Sequence, residues 1–224
     1  MSNIQNDKQE QLLKKILYAC VVIYIITLVY ALYHNFMVKD YTAVGMGFVA
    51  MLTPLIVPVA FKLFHFKPVY EIYIISTVFV YFASLIGSSF HWYSYTGFDK
   101  VLHFSSGIFL LTLAVILYFY IRKSNQITTP EDRAIFIIFI NAVNMAIAVC
   151  WEFYEYAMLI FFNNDCINHY TQGVHDSITD MMCATVAGIL LTLLIIRYLK
   201  TGKGNFFTNV YEKFYERNIA DKQK

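Results

Sequence analysis

Residues 16–34 read ILYACVVIYIITLVYALYH, nineteen positions without an Asp, Glu, Lys or Arg. A helix rises about 1.5 Å per residue, so a stretch of this length crosses the ~30 Å hydrocarbon layer of a bilayer. Lys14 and Lys15 stop immediately before it. The preceding segment, MSNIQNDKQEQLLKK, is too long and too acidic for the charged start of a signal peptide. No small-residue cleavage site follows the apolar run, so this helix is expected to be retained.

Five more stretches of the same character follow. They run near Ala43–Phe64, Tyr70–Phe90, Val101–Ile121, Ala134–Phe162 and Ser177–Leu199. Pro54 and Pro58 are expected to kink the second, because proline lacks the N–H that a helix needs. Thr129-Pro130-Glu131-Asp132 reads as an N-cap, a proline at the first helical position and acids in the first turn. The fold class is therefore an all-α polytopic membrane helical bundle with six transmembrane helices. Residues 1–15 form a cytoplasmic N-terminal segment, 16–199 the six-helix transmembrane domain, and 200–224 a cytoplasmic C-terminal tail. The tail carries Phe206, Phe207, Tyr211, Phe214 and Tyr215 among charges, a pattern that suits a short amphipathic helix on the membrane or a mobile end.

Composition agrees. Of 224 residues, 58% are hydrophobic and only 14% charged, against about 25% charged in soluble domains. Mean hydropathy is +0.54. These values exclude a disordered chain and point away from an ordinary soluble enzyme. Four cysteines (Cys20, Cys150, Cys166 and Cys183) show no metal spacing and read chiefly as small hydrophobes. The net charge of +2 gives no reason to expect a nucleic-acid partner.

Basic residues set the expected orientation. With the N-terminus in the cytoplasm, 15 of the 17 Lys and Arg residues fall on that side, and only Lys39 and Lys100 lie outside. Both termini are thus expected to be cytoplasmic, in the plasma membrane. Trp92, Tyr93 and Tyr95, with Trp151, Tyr154 and Tyr156, then lie at the outer interface as an aromatic belt.

The charges that remain beside the last three helices are paired. Asp99 and His103 are four apart, Glu152 and Glu155 three apart, and Asp176 and Asp180 four apart. Such pairs share a helix face. With the expected topology, all six lie in one layer at the outer leaflet. Asn141, Asn144 and Ala148 continue the fifth helix's stripe inward, and Ser106, Gly107, Cys183 and Ala187 continue the others. A polar seam between helices four, five and six is expected, opening outward. Five carboxylates so close need a counter-charge. A divalent metal (Zn, Mn, Fe or Mg) on Asp99, His103, Glu152, Glu155, Asp176 and Asp180 would supply it. Lys100 and a protonated His103 would balance part of it, and His169 and His175 are further candidate ligands. Asp99 and Asp176 also read simply as helix N-caps.

Asp99-Lys100-Val101-Leu102-His103-Phe104, followed by Gly107, is similar to the D-K/R-x-x-H-F segment of VanZ-like and YjdF-type bacterial membrane proteins. Trp151-Glu152-Phe153-Tyr154-Glu155 resembles the E-x-x-E segment of the YjdF-type family, and Thr171-Gln172-Gly173 with Asp176 and Asp180-Met181 its last motif. The spacing Gly173-Val174-His175-Asp176 departs from that motif. The resemblance covers helices four to six; the VanZ-like members are associated with glycopeptide resistance, the family is of unknown biochemistry, and no reaction is implied.

Three functions compete. In the first, an enzyme, the metal acts on a lipid head group or lipid-linked envelope precursor, with Glu152 or Glu155 as the catalytic general base. In the second, a transporter, the seam through Asn141 and Asn144 carries an ion or solute and the proline-kinked helix gates it. In the third, the cluster is a structural clamp. Beyond the lipid bilayer and such a lipid substrate, no partner is implied.

Overall fold

The computed structural model describes residues 2–166 and 168–220. Every regular element among them is helical, and six helices are long and apolar enough to cross a membrane. The chain divides into two compact units at the Phe98–Asp99 boundary.

The first unit contains α1 (Ser2–Met37), α2 (Tyr41–Leu52), α3 (Ile56–Leu63) and α4 (Tyr70–Val80). On α1 the buried positions are Tyr24, Leu28, Ala31 and Asn35, spaced four, three and four apart as one face of a helix requires. The other faces expose Ile23, Ile25, Ile26 and Val29, which suits contact with lipid. Asp40 caps α2 by accepting from the Ala43 N–H at 2.9 Å, and also pairs with His91 Nε2 at 2.7 Å. The backbone hydrogen bond and then His91 hold the Asp40 carboxyl below its usual range. Small residues Ala43, Gly47 and Ala50 line the buried face of α2. A Cβ at Gly47 would strike the Leu32 side chain, so glycine here sets how closely α1 and α2 approach.

The expected break falls at Pro54. α2 ends at Leu52, a 3₁₀ turn spans Thr53–Leu55, and α3 resumes at Ile56. Proline removes the N–H that would bond the carbonyl four residues earlier, that of Ala50. The Tyr24 hydroxyl from α1 donates to that carbonyl at 2.7 Å, and the Thr53 hydroxyl donates at 3.3 Å. Pro58 lies within α3 without interrupting it. The third span continues from α4 into a π-helix at Tyr81–Ser89, a widening that hydropathy does not signal. Its last residue, Ser89, is fully buried. Asn35 donates to the Ser89 carbonyl at 2.8 Å, and the Ser89 hydroxyl donates to the Ala43 carbonyl at 3.1 Å.

The second unit holds α5 (Phe98–Arg122), α6 (Pro130–Phe162), α7 (His169–Gln172), α8 (Val174–Thr201) and α9 (Phe206–Asn218). Thr129 caps α6 as its sequence suggests, accepting from the Asp132 N–H at 3.0 Å. On α6 the buried residues Phe136, Ile140, Asn144, Ala148 and Glu152 recur every fourth position. α5 and α8 approach through small residues. A Cβ at Gly107 would overlap the Ala184 backbone; between α8 and α6, one at Gly188 would overlap the Asn144 side chain. In a bilayer, where apolar surface alone gives helices little reason to associate, such close contact and interhelical hydrogen bonds hold them together.

The segment after residue 200 forms a helix rather than a loose end; its last residues, 221–224, lie outside the described part. Asn205 and Thr208 cap α9 reciprocally. Its Tyr211 and Tyr215 rings pack edge-on against Phe119 of α5. Glu212 accepts from Asn125 Nδ2 at 2.7 Å and from the Tyr198 hydroxyl at 3.4 Å.

Candidate metal centre

The site is built where the first turns of α5 and α8 meet the later part of α6. Asp99, Lys100 and His103 occupy the start of α5, because the helix begins at Phe98. Asp176 and Asp180 occupy the first two turns of α8. Glu152 and Glu155 lie about 33 and 38 Å along α6 from Pro130, at 1.5 Å per residue. All six sequence-predicted residues therefore reach one neighbourhood, but they divide into two sets.

The first set is closed. Lys100 Nζ donates to Asp176 Oδ1 at 2.5 Å and to Asp180 Oδ2 at 2.9 Å, and lies 3.5 Å from Asp99 Oδ2. Asp176 Oδ2 accepts from Asn168 Nδ2 at 2.8 Å. Both aspartates of α8 are 1% exposed. Asp176 is therefore an ion-pair partner. It does not cap α8, whose N-cap is Gly173 without a side-chain cap bond.

The second set is open. His103 Nε2 lies 3.5 Å from Asp99 Oδ1 and 3.8 Å from Asp180 Oδ1. One ligand atom each from His103, Glu152 and Glu155 lie within 4.8 Å of one another, and the same holds for Asp99, His103 and Asp180. His103 is common to both triads. Glu155 Oε1 accepts from Trp151 Nε1, one turn back, at 2.9 Å. Glu152 is 6% exposed and neither of its oxygens accepts a hydrogen bond among the described residues, with the Ser177 side chain close by. Asp180 Oδ1 forms an ion pair with Lys100 Nζ at 2.8 Å and accepts no hydrogen bond among the described residues.

A buried carboxylate without a donor is costly in an apolar medium. Imidazole nitrogen and carboxylate oxygens are the donor set of Zn, Mn and Fe, and carboxylates alone suit Mg. The open set therefore fits a divalent cation on His103, Glu152 and Glu155. Asp176, taken by Lys100 and Asn168, is not in either triad, and neither are His169 or His175. His169 stands against the Tyr170 ring. The thiols add nothing: all four cysteines are free, and burial, reinforced by Glu155, pushes the Cys166 thiol up to about 11. Residue 167, beside it, lies outside the described part.

Sequence reading missed Asn168 and Trp151. Trp151 had a signal, its position four residues before Glu155 on the same face. Asn168 had none, because it reaches Asp176 from a left-handed backbone conformation in a loop.

The inward seam is filled. Asn144 Nδ2 donates to the Ala184 carbonyl at 3.1 Å, and Asn141 and Thr192 bond each other at 3.0 and 3.3 Å. The Ser106 hydroxyl bonds its own helix at the His103 carbonyl.

The family described as Predicted membrane protein (DUF2238) matches residues 15–201, which span all six helices and every residue of the cluster. The chain belongs to this family. No curated protein and no solved structure matches it. DUF2238 membership establishes an integral membrane protein without assigning a reaction to the Glu152–His103 centre.

Proposed function

We propose that the chain binds one divalent cation on His103, Glu152 and Glu155 at the outer leaflet of the plasma membrane, and uses it on a lipid head group or a lipid-linked envelope precursor. The observation that carries the reading is Glu152, buried beside His103 with neither oxygen hydrogen-bonded among the described residues. A cation there would activate a water molecule, with Glu155, held by Trp151, as general base. The distribution of basic residues, 15 to 2, supports an outward-facing cluster with both termini cytoplasmic. The similarity of the first motif to VanZ-like proteins, which are associated with glycopeptide resistance, is in keeping with an envelope substrate.

The transporter reading is weaker. A conduit needs a path, and the seam toward Asn141 is occupied by interhelical hydrogen bonds and by the Gly107–Ala184 and Gly188–Asn144 contacts. The clamp reading describes the closed set, where Lys100 ties α5 to α8, and leaves the open set unexplained.

Elemental analysis of the gently purified full chain tests the proposal. The expected content is about one divalent ion per chain, lost in Glu152→Gln, as a site with one removable ligand requires. Wild-type protein with no bound ion, whose melting temperature ignores added Zn²⁺, Mn²⁺, Fe²⁺ and Mg²⁺, would sink it.

A further inference from the structure

The Lys100 ammonium lies in a shell of five oxygens. These are Asp176 Oδ1 at 2.5 Å, Asp180 Oδ1 at 2.8 Å and Oδ2 at 2.9 Å, with Asp99 Oδ2 and the Asp176 carbonyl each at 3.5 Å. An ammonium has three N–H donors and no lone pair. Its donors are committed here, so Lys100 is not free to recognise an anion or to act as a base. The shell itself is of the kind that surrounds a hard cation, with carboxylate and main-chain oxygens converging on one point.

Asp180 connects this shell to the open set. It is 1% exposed, and its Oδ1 accepts no hydrogen bond among the described residues while facing both Lys100 Nζ at 2.8 Å and His103 Nε2 at 3.8 Å. Asp99 likewise approaches both groups, Oδ2 toward Lys100 and Oδ1 toward His103. Carboxylates that look toward two neighbouring cation positions are the framework of two-metal centres, in which the ions lie roughly 3.5–4 Å apart. In this chain one of the two positions is filled by a side chain.

We propose that the Lys100 ammonium stands in for a second divalent ion, holding Asp176 and Asp180 and restricting the cluster to one exchangeable metal. This rests on the metal reading above for the first ion. Lysine suits the role because its charge is compact and covalently tethered. The consequence is a mixed centre in which a chelator removes one cation and can never remove the other.

The test uses purified full-length protein and Mn²⁺ as the probe. Wild type is expected to take up about one Mn²⁺ per chain and Lys100→Met about two, with a spin-coupled rather than isolated EPR signal. Lys100→Met should also melt lower without Mn²⁺ and regain wild-type melting with it. Lys100→Met combined with Asp176→Asn, which removes one carboxylate with the ammonium, should return to about one ion per chain and lose the coupling. If Lys100→Met gains no ion over wild type, or stays unfolded in saturating Mn²⁺ while the double variant folds, the proposal falls. It falls equally if neither variant folds with Mn²⁺, because the ammonium is then not replaceable by an ion. Wild type with none would overturn the first-ion reading and this proposal with it, whereas one ion in both wild type and Lys100→Met would overturn this proposal alone and leave the first-ion reading standing.

Discussion

Asp176 and Glu152 are acids buried to a similar degree in the same unit, and the protein treats them in opposite ways. Asp176 receives the Lys100 ammonium and the Asn168 amide. Glu152 receives no hydrogen bond among the described residues. An ionisable group within the apolar layer needs a partner, and the first has it within the chain. The second has no such partner among the described residues; on the proposed reading a cation supplies it.

The largest effect that would break the comparison is at the closed set. Asp176→Ala should destabilise the fold by about 3 kcal/mol, since removing one partner of a buried pair strands the other. Thermal melting of the purified protein measures it, and a loss below about 1 kcal/mol would place Lys100 and Asp176 in the weak class of exposed pairs. Glu152→Gln should run the other way. Without metal it should leave stability unchanged or raise it by about 1–2 kcal/mol, because it removes a buried charge that has no donor. Melting in the presence of a chelator reads this, and a clear destabilisation would show that Glu152 has a structural partner after all.

A smaller effect sharpens the open set. Trp151→Phe removes the hydrogen bond that orients Glu155, and should weaken Mn²⁺ binding by about 10-fold while stability moves little. Titration calorimetry would detect it; unchanged affinity would remove Trp151 from the centre.

The smallest lies in α9. Burial holds the Glu212 carboxyl above the ordinary glutamate value of 4.5, against the opposing hydrogen bonds from Asn125 and Tyr198. A raised value in the folded state means the contribution is present in full below 4.5 and is lost as pH rises through the raised value. Stability should therefore decline slightly across that window. Glu212→Gln should flatten the decline and stabilise neutral-pH protein by less than about 1 kcal/mol, read from melting curves against pH.

The six spans were legible because a bilayer demands long uncharged runs, and nothing else in the chain resembles them. The cluster was legible because helix spacing alone puts Asp99 with His103, Glu152 with Glu155 and Asp176 with Asp180. Its division was not. Lys100 is next to Asp99 in sequence, and that adjacency says nothing about a side chain reaching across to α8. The π-helix at Tyr81–Ser89 had no hydropathic mark. The pairing of Tyr24 with the Ala50 carbonyl needed two helices to be placed before Pro54 could be understood.

That last pairing bears on motion. A proline bend in a membrane helix is a natural pivot, since one rung of its ladder is missing. Here the missing rung is supplied by a tyrosine from the neighbouring helix. Rotating α2 at the bend, or sliding it along α1, would break this bond and leave the carbonyl only the longer Thr53 contact, where there is no water to make up the loss. The corner is thereby locked: it gives the second span its shape and takes away its freedom to swing.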